Sequence, residues 1–134
     1  MAAQPPEPII DRIDHLVLTI SSVDTTCAFY CDCLGMRRVD TPGSATSLHF
    51  GMQKINVHQI DHTFEPKADA PTPGSGDFCL VTTAPLAEVI VRLQRHGVAI
   101  EAGPIDRNGA LGPMKSVYFR DPDHNLVEVS RYMH

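Results

Sequence analysis

KSVYFRDPDHNLVEVSRY, residues 115–132, is the stretch that decides the fold. Two runs rich in β-branched and aromatic residues flank the segment DPDHN (121–125), in which Pro fixes φ and Asp and Asn tolerate turn conformations, so the stretch predicts a β-hairpin. Side chains alternate along a strand, so Val127 and Val129 share one face and Glu128 lies on the other. A carboxylate opposite an apolar face is most often solvated. Only partners from elsewhere in the chain give Glu128 a function.

The rest of the chain has the pattern of two copies of one βαβββ unit, of which the hairpin closes the second. Each copy has a strand, a helix that ends at a glycine, and three further strands. The first copy (about 9–60) is predicted to have a strand over 9–20, a helix over 21–35 and short strands from 39 to 60. The second copy (about 77–132) is predicted to have a strand over 77–82, a helix over 85–97, a strand over 98–100 and the closing hairpin. Residues 61–76 are polar and proline-rich and are interpreted as a linker. The glycine-rich segment 103–113 is predicted to be a mobile flap over a site.

Four polar residues occupy matching places in the two copies. His15 and Asp77, which lie in the first strands, are 62 residues apart, and the glycines that end the helices have the same spacing. His58 and Glu128, in the last strands, are 70 residues apart, which we interpret as the same spacing plus a longer loop. All four lie opposite the face that packs under the helices. The repeat predicts an α+β domain in which two βαβββ modules form a cupped mixed sheet, with these four residues on the side away from the helices.

Composition limits the partners that this chain can have. A net charge of −5 without a Lys/Arg cluster excludes nucleic acid and anionic membrane surfaces, since nothing would neutralise phosphates. No apolar run reaches the roughly 18 residues of a membrane span. Residues 1–8 are predicted to be a disordered tail before a single domain over 9–134. The four cysteines form no CxxC pair, which favours reduced thiols in a cytoplasmic protein.

Several segments resemble the vicinal oxygen chelate superfamily, which groups glyoxalase, bleomycin-resistance and extradiol-dioxygenase proteins. The matching segments are IDHLVLTI (13–20), FYCDCLGM (29–36), FGMQKINVHQ (50–59) and GPMKSVYFRDPDHNLVEV (112–129). The resemblance implies paired βαβββ modules around one divalent metal ion, with His15, His58 and Glu128 at ligand positions and Asp77 at a more variable fourth one. Such a ligand set suits Zn, Ni, Fe, Mn or Co.

The resemblance leaves three classes of function open. A glyoxalase I-like lyase or isomerase would use the metal to stabilise an enediolate, with Glu128 as the catalytic base. An extradiol-type dioxygenase would need Fe(II). An antibiotic-binding protein would need no metal-ligating residues. The resemblance to glyoxalase I departs at His58, where that enzyme usually has a carboxylate, and at Thr19, where it has an arginine for glutathione. We expect a small-molecule substrate and a homodimer, since short modules leave sheet edges that pairing covers.

Overall fold

The computed structural model describes Gln4 and residues 6–133. These residues form eight strands and two helices in the order βαβββ followed by βαβββ. The elements are β1 (His15–Ile20), α1 (Val23–Leu34), β2 (Arg37–Val39), β3 (Thr46–Phe50), β4 (Gln53–Gln59), β5 (Asp77–Val81), α2 (Leu86–Arg95), β6 (Ala102–Gly109), β7 (Gly112–Arg120) and β8 (Leu126–Tyr132). Most of the predicted tail (residues 1–3 and 5) lies outside the described residues. The predicted α+β class and the repeat are confirmed.

Each copy forms its own four-stranded mixed sheet. Sheet 1 has the order β1-β4-β3-β2, and sheet 2 has the matching order β5-β8-β7-β6. In both sheets the first strand pairs in parallel with the last strand of its unit, while the remaining neighbours are antiparallel. The helix of each unit connects its first strand to its second, at the opposite edge of the sheet, and returns the chain in its original direction. Two antiparallel reversals then bring the last strand back parallel to the first.

The helix ends follow the local sequence. Ser22 caps α1 by accepting a hydrogen bond from the backbone N–H of Thr25, and Gly35 ends it with a φ of 72°. In the second unit Pro85 precedes α2, and Gly97 follows it with the same φ of 72°. A glycine suits both ends, since other residues are strained in the left-handed region.

The two units share one hydrophobic core. Its buried side chains come from α1, α2 and both sheets. A polar link also joins the units, because the buried carboxylate of Asp121 accepts a hydrogen bond of 2.7 Å from the Tyr30 hydroxyl. The same carboxylate accepts bonds from the backbone N–H groups of Asp123 and Asn125 and from the Asn125 side chain. Asn125 in turn accepts from the Gly76 N–H. The turn of the predicted hairpin therefore fixes the first unit against the second.

Three predicted segments differ from the structure. Residues 98–100 form no strand, and residues 103–113, predicted as a mobile flap, form most of the β6–β7 hairpin. The strand pairing shifts between Ala102 and Ile105, and Gly103 sits there at a φ of 106° with its Cα so near the Ser116 carbonyl that no Cβ would fit. The glycine therefore permits a bulge in a strand. The strand predicted over 9–20 begins only at His15.

The faces of the sheets that point away from the helices are called the open faces. On sheet 1 the open face carries His15, Val17, Thr19, Lys54, Asn56 and His58, and on sheet 2 it carries Asp77, Cys79, Val81, Ser116, Tyr118, Glu128 and Ser130. Val17, in the middle of β1, is 47 % exposed, and Val81, the last residue of β5, is 60 % exposed. The first strand of each unit is therefore only partly covered within the described chain.

Candidate functional site

The predicted site residues divide between the two open faces. His15 and His58 lie on sheet 1, and Asp77 and Glu128 lie on sheet 2. The described residues contain no group of three His, Cys, Asp or Glu side chains that could hold one metal ion. The described part of one chain therefore does not present, by itself, the metal centre that the resemblance implies.

The strand register separates His58 from His15. In the parallel β1–β4 pair, His15 lies opposite Lys54 and His58 lies opposite Thr19, so the two histidines are four residues apart along the strands. This offset places the backbones of the two residues about 13 Å apart along the strands. The described residues of one chain do not bring these two histidines into a common group of ligands.

The register identifies Asn56 as the counterpart of Glu128. Val17 pairs with Asn56 in sheet 1, and Cys79 pairs with Glu128 in sheet 2. Val17 and Cys79 are 62 residues apart, as are His15 and Asp77, whereas Asn56 and Glu128 are 72 apart. The spacing of 70 that linked His58 to Glu128 was therefore wrong by two residues, which is one full period of a strand. The alternation of side chains could not distinguish Asn56 from His58 as the counterpart of Glu128, because both lie on the open face of β4.

Asn56 carries a buried oxygen without a partner. Its Oδ1 atom accepts no hydrogen bond within the described residues. Burying an unpaired amide oxygen costs about 1–3 kcal/mol, so such atoms are uncommon in native proteins unless something outside the chain satisfies them. An amide oxygen can accept a hydrogen bond from a substrate or bind a hard divalent cation. Asn56 is therefore a candidate site residue that the sequence prediction missed.

His15, next to this oxygen on the open face, is partly solvated. Its side chain is 42 % exposed, and its Nδ1 atom lies 2.9 Å from Oδ2 of Asp14. The hydrogen bond to His15 lowers the pKa of Asp14. A carboxylate on Nδ1 leaves Nε2 as the ring nitrogen available to a ligand, as in carboxylate–histidine–metal arrangements.

His58 instead packs beneath the linker. It is only 6 % exposed, and its ring lies 5.4 Å from that of Phe64. Linker residues 66–76 cover it and help to enclose a cavity of about 230 Å³, which Val17, Thr19 and Asn125 also line. Burial, with the nearby Lys67 ammonium, lowers the pKa of His58. The environment favours a neutral, packed imidazole.

Glu128 is held in place by a hydrogen-bonded cluster on sheet 2. The Ser130 hydroxyl donates to Oε2 of Glu128 at 3.1 Å and lies 2.6 Å from the buried Ser116 hydroxyl. The Cys79 thiol lies 3.1 Å from Ser130 Oγ. Burial raises the pKa of Cys79, and the Glu128 carboxylate adds to this effect. The cluster orients a carboxylate on an open face, which is the arrangement that a general base requires.

Asp77 lies at the edge of this cluster. It is the exposed first residue of β5, where it pairs with Leu126, two residues before Glu128 on β8. The Arg120 side chain, which is in turn bonded to Glu101, is the cation whose charge interacts with Asp77. Asp77 and Glu128 are thus the carboxylates that sheet 2 offers, and His15 and Asn56 are their counterparts on sheet 1.

Comparison with known proteins places this arrangement in a family. The Glyoxalase/Bleomycin resistance protein/Dioxygenase superfamily matches residues 12–129, and the chain belongs to it. Among curated proteins, the virulence protein STM3117 of Salmonella typhimurium is 50 % identical over 125 residues, which are 93 % of this chain and 87 % of that protein. The glyoxalase domain-containing protein RDO1 of Mycosarcoma maydis is 48 % identical over 123 residues, or 92 % of this chain and 69 % of that one.

Solved structures agree with this membership. The crystal structure of STM3117 superposes with a TM-score of 0.91 at 49 % identity and covers 94 % of this chain and 100 % of that one. A lactoylglutathione lyase from Agrobacterium tumefaciens superposes with a TM-score of 0.70 at 26 % identity and covers 92 % and 96 % of the two chains. No helix in the described part of the chain is long and apolar enough to cross a membrane.

Proposed function

We propose that this protein is a glyoxalase-type lyase or isomerase that moves a proton between adjacent carbons of a small oxygen-rich substrate. The observation that carries the proposal is Glu128, a carboxylate oriented by Ser130 on an open sheet face. The structural similarity to a lactoylglutathione lyase supports the same class of reaction. Among the described residues, Glu128 belongs to no group of three side chains that could hold a metal ion, so a second element is needed to complete the site.

That element is a second copy of the chain, packed so that sheet 1 of one subunit faces sheet 2 of the other. Each copy would contribute His15 and Asn56 to one site and Asp77 and Glu128 to the other. Two observations support this arrangement. A second subunit would supply a hydrogen-bond partner for the Asn56 oxygen, which has none within the described residues. It would also cover the exposed side chains of Val17 and Val81. The assembly would be a homodimer with two equivalent sites.

The four donors at such a site are one imidazole, one amide oxygen and two carboxylates. This set suits a divalent ion of the Zn, Ni, Co, Mn or Fe group. A bound ion of this kind would polarise two adjacent substrate oxygens as a Lewis acid.

Glu128 would perform the proton transfer. Its free oxygen would take a proton from the carbon next to a carbonyl and return it to the neighbouring carbon, while Ser130 keeps the other oxygen in place. Thr19 stands where glyoxalase I has an arginine for glutathione, and the cation near this strand end is Lys67 of the linker, which lies close to His58.

The experiment measures metal content and turnover together. Purified protein would be loaded with Zn²⁺, Ni²⁺, Co²⁺, Mn²⁺ or Fe²⁺, and isomerisation would be followed with methylglyoxal hemithioacetals of glutathione and of a small thiol. We expect Glu128→Gln to lower turnover about a hundredfold to ten-thousandfold. Its matched control is Glu88→Gln on the exposed side of α2. Full turnover in Glu128→Gln would refute the proposed base, and metal-free protein after loading would favour a binding protein.

The second copy is tested by sedimentation. We expect a species of twice 14.7 kDa at micromolar concentration. The decisive variants combine Asn56→Ala in one population with Glu128→Gln in the other. Each mutant alone would be inactive, but mixed subunits would form one intact site per heterodimer and recover part of the activity. A chain that stays monomeric, or a mixture that stays inactive, would refute the shared site.

A further inference from the structure

Arg107 reaches the tyrosine that lies beside Glu128. In sheet 2, Tyr118 on β7 pairs with Glu128 on β8, so their side chains are neighbours on the open face. Arg107 on β6 pairs with Met114 on β7, which lies four residues before Tyr118. The Arg107 side chain extends along the strands to reach Tyr118. Nε of Arg107 donates to the Tyr118 hydroxyl at 2.9 Å, and its guanidinium carbon lies 5.5 Å from the ring centre.

Both side chains keep unused hydrogen-bond donors. A guanidinium has five N–H bonds, and within the described residues Arg107 uses one on Tyr118 and one on the Asp106 carbonyl. The Tyr118 oxygen accepts from Arg107, and no acceptor for its own proton occurs in the described chain. The exposed guanidinium edge and this hydroxyl proton are therefore available to one acceptor placed between them and solvent.

Arg107 also keeps its charge uncompensated. Arg120 on the same strand pair donates two bonds to Glu101, and Lys115 is bonded to Asp106. No carboxylate within the described residues lies in ion-pair distance of Arg107. An arginine that is anchored at Nε presents a planar fork, which matches the two oxygens of a carboxylate.

We propose that Arg107 and Tyr118 bind an oxyanion of the substrate, so that the substrate of this protein is a small carboxylate-bearing molecule. The proposal rests on the proposed function in that Glu128 is the reacting end of the same site. A negative substrate approaching Glu128 experiences repulsion from this carboxylate, and the Arg107 cation two strands away offsets it. The pair would also fix which end of the substrate faces Glu128.

The test titrates the metal-free full chain with small probes and follows ¹H–¹⁵N NMR signals of the Arg107 side chain and of the backbone near Tyr118. The probes are pyruvate, its uncharged methyl ester and inorganic phosphate, at constant ionic strength because surface charges are screened by salt. We expect saturable shifts with pyruvate and none of comparable size with methyl pyruvate. Tighter binding of phosphate than of pyruvate would keep the oxyanion site but assign it to phosphate esters instead of carboxylates.

The variants separate this site from the general surface charge. We expect Arg107→Gln to weaken pyruvate binding about tenfold or more, as loss of charge-assisted hydrogen bonds does. Arg107→Lys keeps the charge and loses the fork, so it should give a smaller loss, and so should Tyr118→Phe. Arg95→Gln, which removes an exposed cation on α2, should bind as the wild type does.

Three results would overturn the proposal: no saturable shift, equal shifts with methyl pyruvate, or equal affinity in Arg107→Gln and Arg95→Gln. The titration involves neither metal nor turnover. The oxyanion site can therefore fail while Glu128 still proves to be the base, and the base can fail while the oxyanion site binds.

Discussion

The open faces of the two sheets share one strand arrangement but differ in how their polar groups are satisfied. Glu128 on sheet 2 belongs to a cluster in which the Ser130 hydroxyl lies within hydrogen-bond distance of Glu128, Ser116 and Cys79. Its counterpart on sheet 1, Asn56, has a buried oxygen that accepts no hydrogen bond from the described residues. The two units thus share a scaffold but differ in their open faces. Sheet 2 presents an oriented carboxylate, and sheet 1 presents an amide oxygen that accepts no hydrogen bond within the described residues.

The strand ends beyond these residues differ as well. His58, two residues after Asn56, is buried under the linker, whereas Ser130, two residues after Glu128, supports the carboxylate. Residues at equivalent strand positions therefore have different roles: His58 packs under the linker, and Ser130 orients Glu128. The following predictions test this asymmetry, beginning with the link that holds the two units together.

The largest effect is expected from removal of the link between the units. Asp121→Ala would leave the buried Tyr30 hydroxyl and the Asn125 amide without their acceptor, so the free energy of unfolding should fall by about 3 kcal/mol or more. Urea unfolding measures this change. Asp106→Ala, which removes an exposed ion pair, is the control and should cost less than about 1 kcal/mol. Similar losses in both variants would show that the two units do not depend on this link.

Opposite signs are expected at Asn56 and Ser130. Asn56→Leu removes an unpaired buried oxygen and should raise the free energy of unfolding of the metal-free monomer by about 1 kcal/mol. Ser130→Ala removes a buried hydroxyl that contacts Ser116 and Glu128, and it should lower the same quantity by about 2 kcal/mol. Thermal and urea unfolding check both. If Asn56→Leu destabilises as much as Ser130→Ala, the Asn56 oxygen has a partner after all.

A pH-dependent effect is expected at His58. Its pKa in the folded state lies below the ordinary value of 6.5, because the ring is buried and faces Lys67. The unfolded chain therefore binds a proton at His58 more readily than the folded chain does. The contribution of the neutral His58 to the free energy of unfolding is fully present above pH 6.5 and is lost as the pH falls toward the folded pKa. In His58→Gln the unfolding midpoint should fall less across this range than in the wild type. His124→Asn, at an exposed turn position, should follow the wild type.

The smallest effect is expected at the Cys79 thiol. The Glu128 carboxylate contributes to its raised pKa, after burial. Only the thiolate reacts with iodoacetamide, so Glu128→Gln should increase the alkylation rate of Cys79 severalfold at neutral pH. The buried Cys27 and Cys33 serve as internal references in the same mass-spectrometric measurement. An unchanged Cys79 rate would show that the two side chains do not interact in solution.

Most of the fold was predictable because its signals are local. Alternation assigned His15, Val127 and Glu128 to their faces, and the capping residues Ser22 and Gly35 gave the ends of α1. The β6 strand was not predictable from its own sequence. Its glycines and proline are typical of a loop, and it forms a strand only because β7 lies alongside it and accommodates a bulge at Gly103.

For the site, the sequence by itself determined which residues face away from the helices, since a period of two depends only on the strand that carries them. It thereby identified His15, Asp77 and Glu128 as open-face residues. Only the tertiary structure decided that Asn56, and not His58, is the counterpart of Glu128, and that Arg107 reaches Tyr118. Register between strands depends on the lengths and paths of the intervening loops, and a shift by two residues leaves every side chain on its predicted face.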